Sequence, residues 1–173
     1  MNAQEIRLVQ NSFREILPIA DHAAALFYAR LFELDPSLRA LFHGGMQEQG
    51  RKLMTVLGTA VASLDQIEHI LPTLRELGLR HARSGVHESH YATVGTALLW
   101  SLEKGLGEAF TPPLHQAWKN VYATLSRIMI EAVRIEMLAK LPLPARPRPH
   151  AAPGLAAIAV GLIATATVRG SAL

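Results

Sequence analysis

Cysteine is absent from the 173-residue chain. Disulfides and thiolate-held metal centres are thereby excluded, so a transition metal here is held by nitrogen or oxygen or arrives inside a cofactor. Aromatic residues are scarce at 6% and charged residues at 18%, while half the chain is hydrophobic. That apolar share is enough for a packed core, and the length fits one domain with a tail to spare. No window alternates in the manner of a strand. Dinucleotide and P-loop fingerprints, GxSxG and HExxH are all missing. Met1–Glu5 shows no basic stretch leading into an apolar core, so a cytoplasmic protein is expected rather than a secreted one.

The pI of about 9.6 suggests a nucleic-acid partner at first sight. Its distribution argues otherwise. Of the 17 basic residues, Arg146, Arg148 and Arg169 follow Leu141 with no acid among them, so residues 1–141 hold 14 basic and 14 acidic side chains. A balanced body has no phosphate-seeking field.

Helical periodicity runs through those first 141 residues. Asn2 and Glu5 have capping-box spacing ahead of Ile6, Val9, Phe13 and Leu17, and Pro18 ends or kinks that helix. A second helix carries Leu26, Phe27, Tyr28 and Leu31. Asp35-Pro36 starts a short turn through Phe42, and Gly44-Gly45 breaks the chain. Further helices are predicted from about Gln47 to Leu64, from about Gln66 to His81 with an interruption at Pro72, and from about His87 to Leu106. A last one begins at Thr111-Pro112 and runs to about Lys140. About six or seven unequal helices without a sheet predict an all-α fold.

From Pro142 the composition changes. Half of the ten prolines fall between residues 142 and 153, which reads as an extended linker after a domain of residues 1–141. Gly154–Val168 is uncharged and apolar. As a helix it would span about 22 Å, short of the roughly 30 Å hydrocarbon core. Residues 142–173 are therefore expected to be a loose tail, with contact to the inner face of a membrane as the alternative.

Among eight histidines, His81 stands out. Leu74, Leu77, Gly78 and His81 fall at helical spacing, which sets the imidazole on an apolar face. Gly78 beside it leaves room for a flat group to approach. On these residues alone, a core histidine bonded to a backbone carbonyl is the commoner outcome. His87 and His90 lack a third ligand at a recognised spacing and read as a solvated helix start.

Taken with other segments, His81 gains a second meaning. Phe27-Tyr28, Leu41-Phe42, Gln49 to Leu53, Leu77 to His81 and His90 to Gly95 together resemble the globin family over about Ile6 to Ile135. The likeness is to single-domain bacterial haemoglobins, the haem half of flavohaemoglobins, and neuroglobin. It implies a globin fold around one haem b, with His81 as the iron's proximal ligand. Phe42 would wedge against the porphyrin, with ordinary core packing as the other reading. Tyr28 and Gln49 would act as distal donors to a diatomic ligand, and the alternative for Tyr28 is a bond to a backbone carbonyl. Leu53 would cover the ligand. Lys52 and Arg80 would meet the propionates or simply lie in solvent. Leu77, Val86, Val94 and Leu98 would complete the walls.

Tyr91 matches the tyrosine that supports the proximal histidine in flavohaemoglobins. The accompanying glutamate position falls on Val133, with Glu131 and Glu136 out of register. The resemblance thus implies tight, reversible binding of dioxygen or nitric oxide by a monomer or weak dimer. The enzymatic alternative is nitric oxide dioxygenase activity, which requires a separate reductase because the chain carries no nucleotide-binding module.

Overall fold

The computed structural model describes residues 1–141. Expectations for the proline–arginine linker and the apolar tail, residues 142–173, lie outside the described residues. Within them the chain forms six α-helices: α1 Ala3–Ile16, α2 Ala20–Leu34, α3 Met46–Ala62, α4 Ile67–Arg83, α5 Glu88–Leu106 and α6 Pro112–Ala139. Short 3-10 turns join several of them, and no strand occurs among the described residues.

Local chemistry starts and stops these helices. The Asn2 side chain accepts from the Glu5 amide at 2.9 Å, and the Glu5 carboxylate accepts from the Asn2 amide at 2.8 Å. That reciprocal cap satisfies two otherwise orphaned donors. Pro18 turns the chain through a 3-10 turn, Leu17–Ile19, into α2. Asp35 caps the Pro36–Leu41 turn by accepting from the Ser37 amide at 3.0 Å. Pro72, expected to interrupt its helix, sits inside a continuous α4. Its missing N–H would have paired with the carbonyl of Glu68 one turn earlier, and both residues are exposed, so water can take that carbonyl.

The core draws mostly on α1, α2, α5 and α6, with Ala60 and Val61 from α3 and Leu74 from α4. Trp118 is fully buried, stacks obliquely near Phe13, and donates its indole N–H to the Ser12 hydroxyl at 2.9 Å. Ser12 gives its own proton to the Val9 carbonyl, so no buried donor in this set is left unpaired. Helix α2 packs on α5 and α3, while α4 packs chiefly on α6. Helices α3 and α4 are thus held by different partners and share no extensive contact.

The α4–α6 contact corrects one sequence expectation. A Cβ on Gly78 would lie 2.5 Å from the Met129 carbonyl oxygen and 2.8 Å from the Met129 Cα. The space beside His81 on that side is therefore filled by the α6 backbone and is closed to a flat group. Gly78→Ala is expected to destabilise the fold by about 2 kcal/mol or more, because the overpacking falls on backbone atoms that cannot swing aside and outweighs the helix-propensity gain of about 1 kcal/mol. Thermal unfolding checks this, and an unchanged midpoint would show that α4 and α6 are not in backbone contact.

Candidate functional site

His81 lies two residues before the end of α4 and is half-buried. Its Nδ1 is 2.8 Å from the Leu77 carbonyl oxygen, one helical turn back. A carbonyl can only accept, so in the neutral ring Nδ1 carries the proton and Nε2 keeps its lone pair. The ring stacks near Tyr91 of α5, with centroids 6.5 Å apart and planes at 27°. Backbone bonds fix the turn beyond it, since the Val86 and Ser84 amides both donate to the His81 carbonyl. The imidazole is oriented from behind by a bond and from the side by a ring.

Tyr91 is itself held by a residue that the sequence reading missed. The Tyr122 hydroxyl on α6 donates to the Tyr91 carbonyl at 2.6 Å. Its ring crosses Gly95, where a Cβ would stand 2.6 Å away. A glycine within an apolar helix is the signal that could have flagged this close approach. Burial raises the pKa of both tyrosines above the ordinary value, so each stays protonated and able to donate.

Glu131 is exposed and Glu136 is paired with Lys140 at 3.0 Å. His81 therefore gives its proton to a neutral carbonyl rather than to a carboxylate. A carbonyl draws the proton less strongly than a carboxylate would.

The expected distal residues come from α2 and α3. Tyr28 is buried at 7% exposure among Phe27, Phe32 and Phe42, whose ring centroids are 5.0, 5.9 and 5.2 Å away. Burial pushes its pKa up to about 12. Its hydroxyl donates to the Gln49 backbone carbonyl at 3.3 Å, long against the roughly 2.7–2.8 Å usual for O–H···O bonds. The Gln49 amide reaches the other way and donates to the His43 carbonyl. Phe42 and Leu53 are half-buried and packed against the core, as is Val94, while Leu98 is fully buried. Leu77 and Val86 are also half-buried. Lys52 is exposed and paired with Glu48 at 2.6 Å, and Arg80 is exposed.

The His87 amide donates to His90 Nδ1 at 3.1 Å at the start of α5, which agrees with the structural reading given to them. Among the described residues no three His, Cys, Asp or Glu side chains converge in a way that could hold a bare metal ion. A single oriented imidazole needs its metal to bring other ligands with it. The half-buried apolar residues of α3, α4 and α5 and the free Nε2 of His81 suit a metal carried in a flat, largely apolar cofactor. The residues present fit a haem.

Comparison with known proteins agrees. A sequence model of the family described as Globin matches residues 25–129. Neuroglobin of Chaenocephalus aceratus is 33% identical over 143 residues, covering 75% of this chain and 90% of that one. Neuroglobin-1 of Oncorhynchus mykiss is 36% identical over 118 residues, 60% of this chain and 74% of that protein. Among solved structures, an engineered carbene transferase made from a candidate nitric oxide dioxygenase of Rhodothermus marinus matches with a TM-score of 0.71. It is 28% identical, and the match covers 80% of this chain and 98% of that one. A hexacoordinated haem protein from an anhydrobiotic tardigrade matches with a TM-score of 0.70 over 78% and 96% of the two chains, and at 19% identity this likeness concerns the fold. The chain belongs to the globin family, the haem-binding all-α proteins.

Proposed function

We propose that this globin takes up and holds dioxygen, using His81 to carry the haem and Tyr28 to retain the ligand. The observation that carries this reading is the Tyr28 hydroxyl, buried among aromatic rings and committed only to a long 3.3 Å bond. The haem supplies an iron site where a diatomic ligand binds reversibly. His81 Nε2 would hold that iron, and the Leu77 carbonyl keeps the ring in the tautomer this needs. Tyr28 can exchange its long bond for a better one to a bound ligand that draws negative charge, worth about 1.5–3 kcal/mol in a dry site. Gln49 already spends one of its two amide N–H donors on the His43 carbonyl. Tyr28 is therefore the principal donor. Leu53 and Phe42 keep water away from the ligand. The lack of cysteine excludes a thioether-linked haem, and haem b is the form proposed.

The second reading is enzymatic, and the likeness to the Rhodothermus marinus protein favours it. Turnover of nitric oxide with dioxygen to nitrate would use the same Tyr28 and a separate reductase. The neutral carbonyl behind His81 gives little electron push, which supports binding over strong activation. Repeated additions of nitric oxide to the dioxygen-loaded protein with a generic reductase distinguish the two. A single stoichiometric burst is expected. Sustained consumption would establish catalysis.

A further inference from the structure

The last turns of α6 carry apolar side chains that the fold leaves uncovered. Every fully buried residue of that helix lies between Leu114 and Ser126, yet the helix runs on to Ala139. Beyond Ser126 it gives the body only half-buried side chains such as Ile128, Met129, Ile130 and Val133. Ile135, Met137 and Leu138 are then exposed by 65, 63 and 65%, and Leu141 follows at 62%. Ile135 and Leu138 share one face at helical spacing, and Met137 beside Leu138 widens it. Glu136 and Lys140 pair with each other on another side at 3.0 Å.

Charge is as unevenly distributed. Residues 134–173 hold five basic side chains, Arg134, Lys140, Arg146, Arg148 and Arg169, against the single acid Glu136. The whole chain carries +3, so its positive excess lies entirely in this stretch and residues 1–133 are slightly acidic. Glu131 borders the apolar face one turn earlier, where Arg127 and Arg134 stand four and three residues away and offset it. Arg134 also pairs with Glu88. Further on, Gly154–Val168 has no charged residue at all.

We infer that the end of α6, with the basic and uncharged sequence that follows it, attaches this globin peripherally to a bilayer surface bearing anionic headgroups. Apolar side chains beside cations match that interface, where hydrocarbon meets negative charge. Neither signal is strong alone, and the two together hold a protein at the surface. A second copy is a poorer match. A stable protein pair contacts through about 20–30 residues on each side, whereas this face offers three apolar side chains on α6. Two copies joined there would also set positive charge against positive charge.

The test floats the full haem-loaded chain through a density gradient with phosphatidylcholine vesicles, plain or with about a quarter phosphatidylserine. Co-flotation is expected with the anionic vesicles at about 0.1 M salt and is expected to fall steeply at about 1 M. Ile135→Ser with Leu138→Ser should lower the partition coefficient about tenfold, while the Soret band stays native because both side chains are largely exposed. Arg146→Gln with Arg148→Gln should lower it about twentyfold, each arginine near the surface being worth about fivefold. Equal flotation with plain and anionic vesicles would overturn the anionic surface as partner. Flotation unchanged by Ile135→Ser with Leu138→Ser would overturn the role of α6. No flotation would overturn the inference outright, and a dimer in sedimentation equilibrium that those two substitutions dissociate would then assign the face to a second copy.

Discussion

His81→Gly is expected to lose the Soret band of nitrogen-ligated haem, and added imidazole is expected to restore it. His81 is half-buried, and its one hydrogen bond runs within its own helix to Leu77. Helix α4 is anchored elsewhere, by buried Leu74 and by the Gly78 contact with the α6 backbone at Met129. Removing the imidazole should therefore leave the helix in place and an opening of imidazole size beside Tyr91. Free imidazole would fill that opening and return the metal ligand. A spectrum unchanged by the substitution would mean that another side chain binds the iron. Loss without rescue, together with native helical content and native haem stoichiometry, would point to a different origin for the band.

Tyr28→Phe is expected to speed dioxygen dissociation by at least about tenfold, a loss of about 1.4 kcal/mol or more. The substitution keeps the ring that packs against Phe27, Phe32 and Phe42, so it removes a donor without opening a cavity. Its stability cost should be small, because the lost bond is long and its acceptor is one backbone carbonyl. Sign matters for pH. With a pKa of about 12 in the folded chain, the hydroxyl is protonated well beyond neutrality, and the native dissociation rate should be flat through neutral pH. Stopped-flow displacement of dioxygen by carbon monoxide gives both quantities. A rate equal to that of the native chain would mean that the hydroxyl remains on the Gln49 carbonyl when ligand is bound.

The order of helices was legible because its signals are local. Asn2–Glu5 spacing forms the cap it predicts, and Asp35-Pro36 opens a turn capped by Asp35. Lys52 pairs with Glu48 one turn away, as helical spacing allows. Contacts between distant segments were less legible. Gly78 reads as open space in one helix, and only the arrival of α6 shows that Met129 fills it. The Tyr122–Tyr91 bond spans 31 residues, so no local pattern could announce it beyond the bare presence of Gly95. His81 itself was weighed as a histidine bonded to a carbonyl or as a metal ligand. The structure shows the carbonyl bond, and because that bond uses Nδ1 it does not compete with a ligand role for Nε2.

Gln49 marks the boundary most clearly. Its place at the start of α3 was readable, yet the direction of its amide depends on the turn around His43 and Gly44. A one-dimensional pattern carries no such direction.

Titration of the haem-free chain with haem, followed at the Soret band, tests the central claim most directly. Saturation at one haem per chain, with the spectrum of an iron held by one protein nitrogen and lost in His81→Gly, is the predicted result. Binding that does not saturate, or a saturated spectrum indifferent to His81, would contradict it.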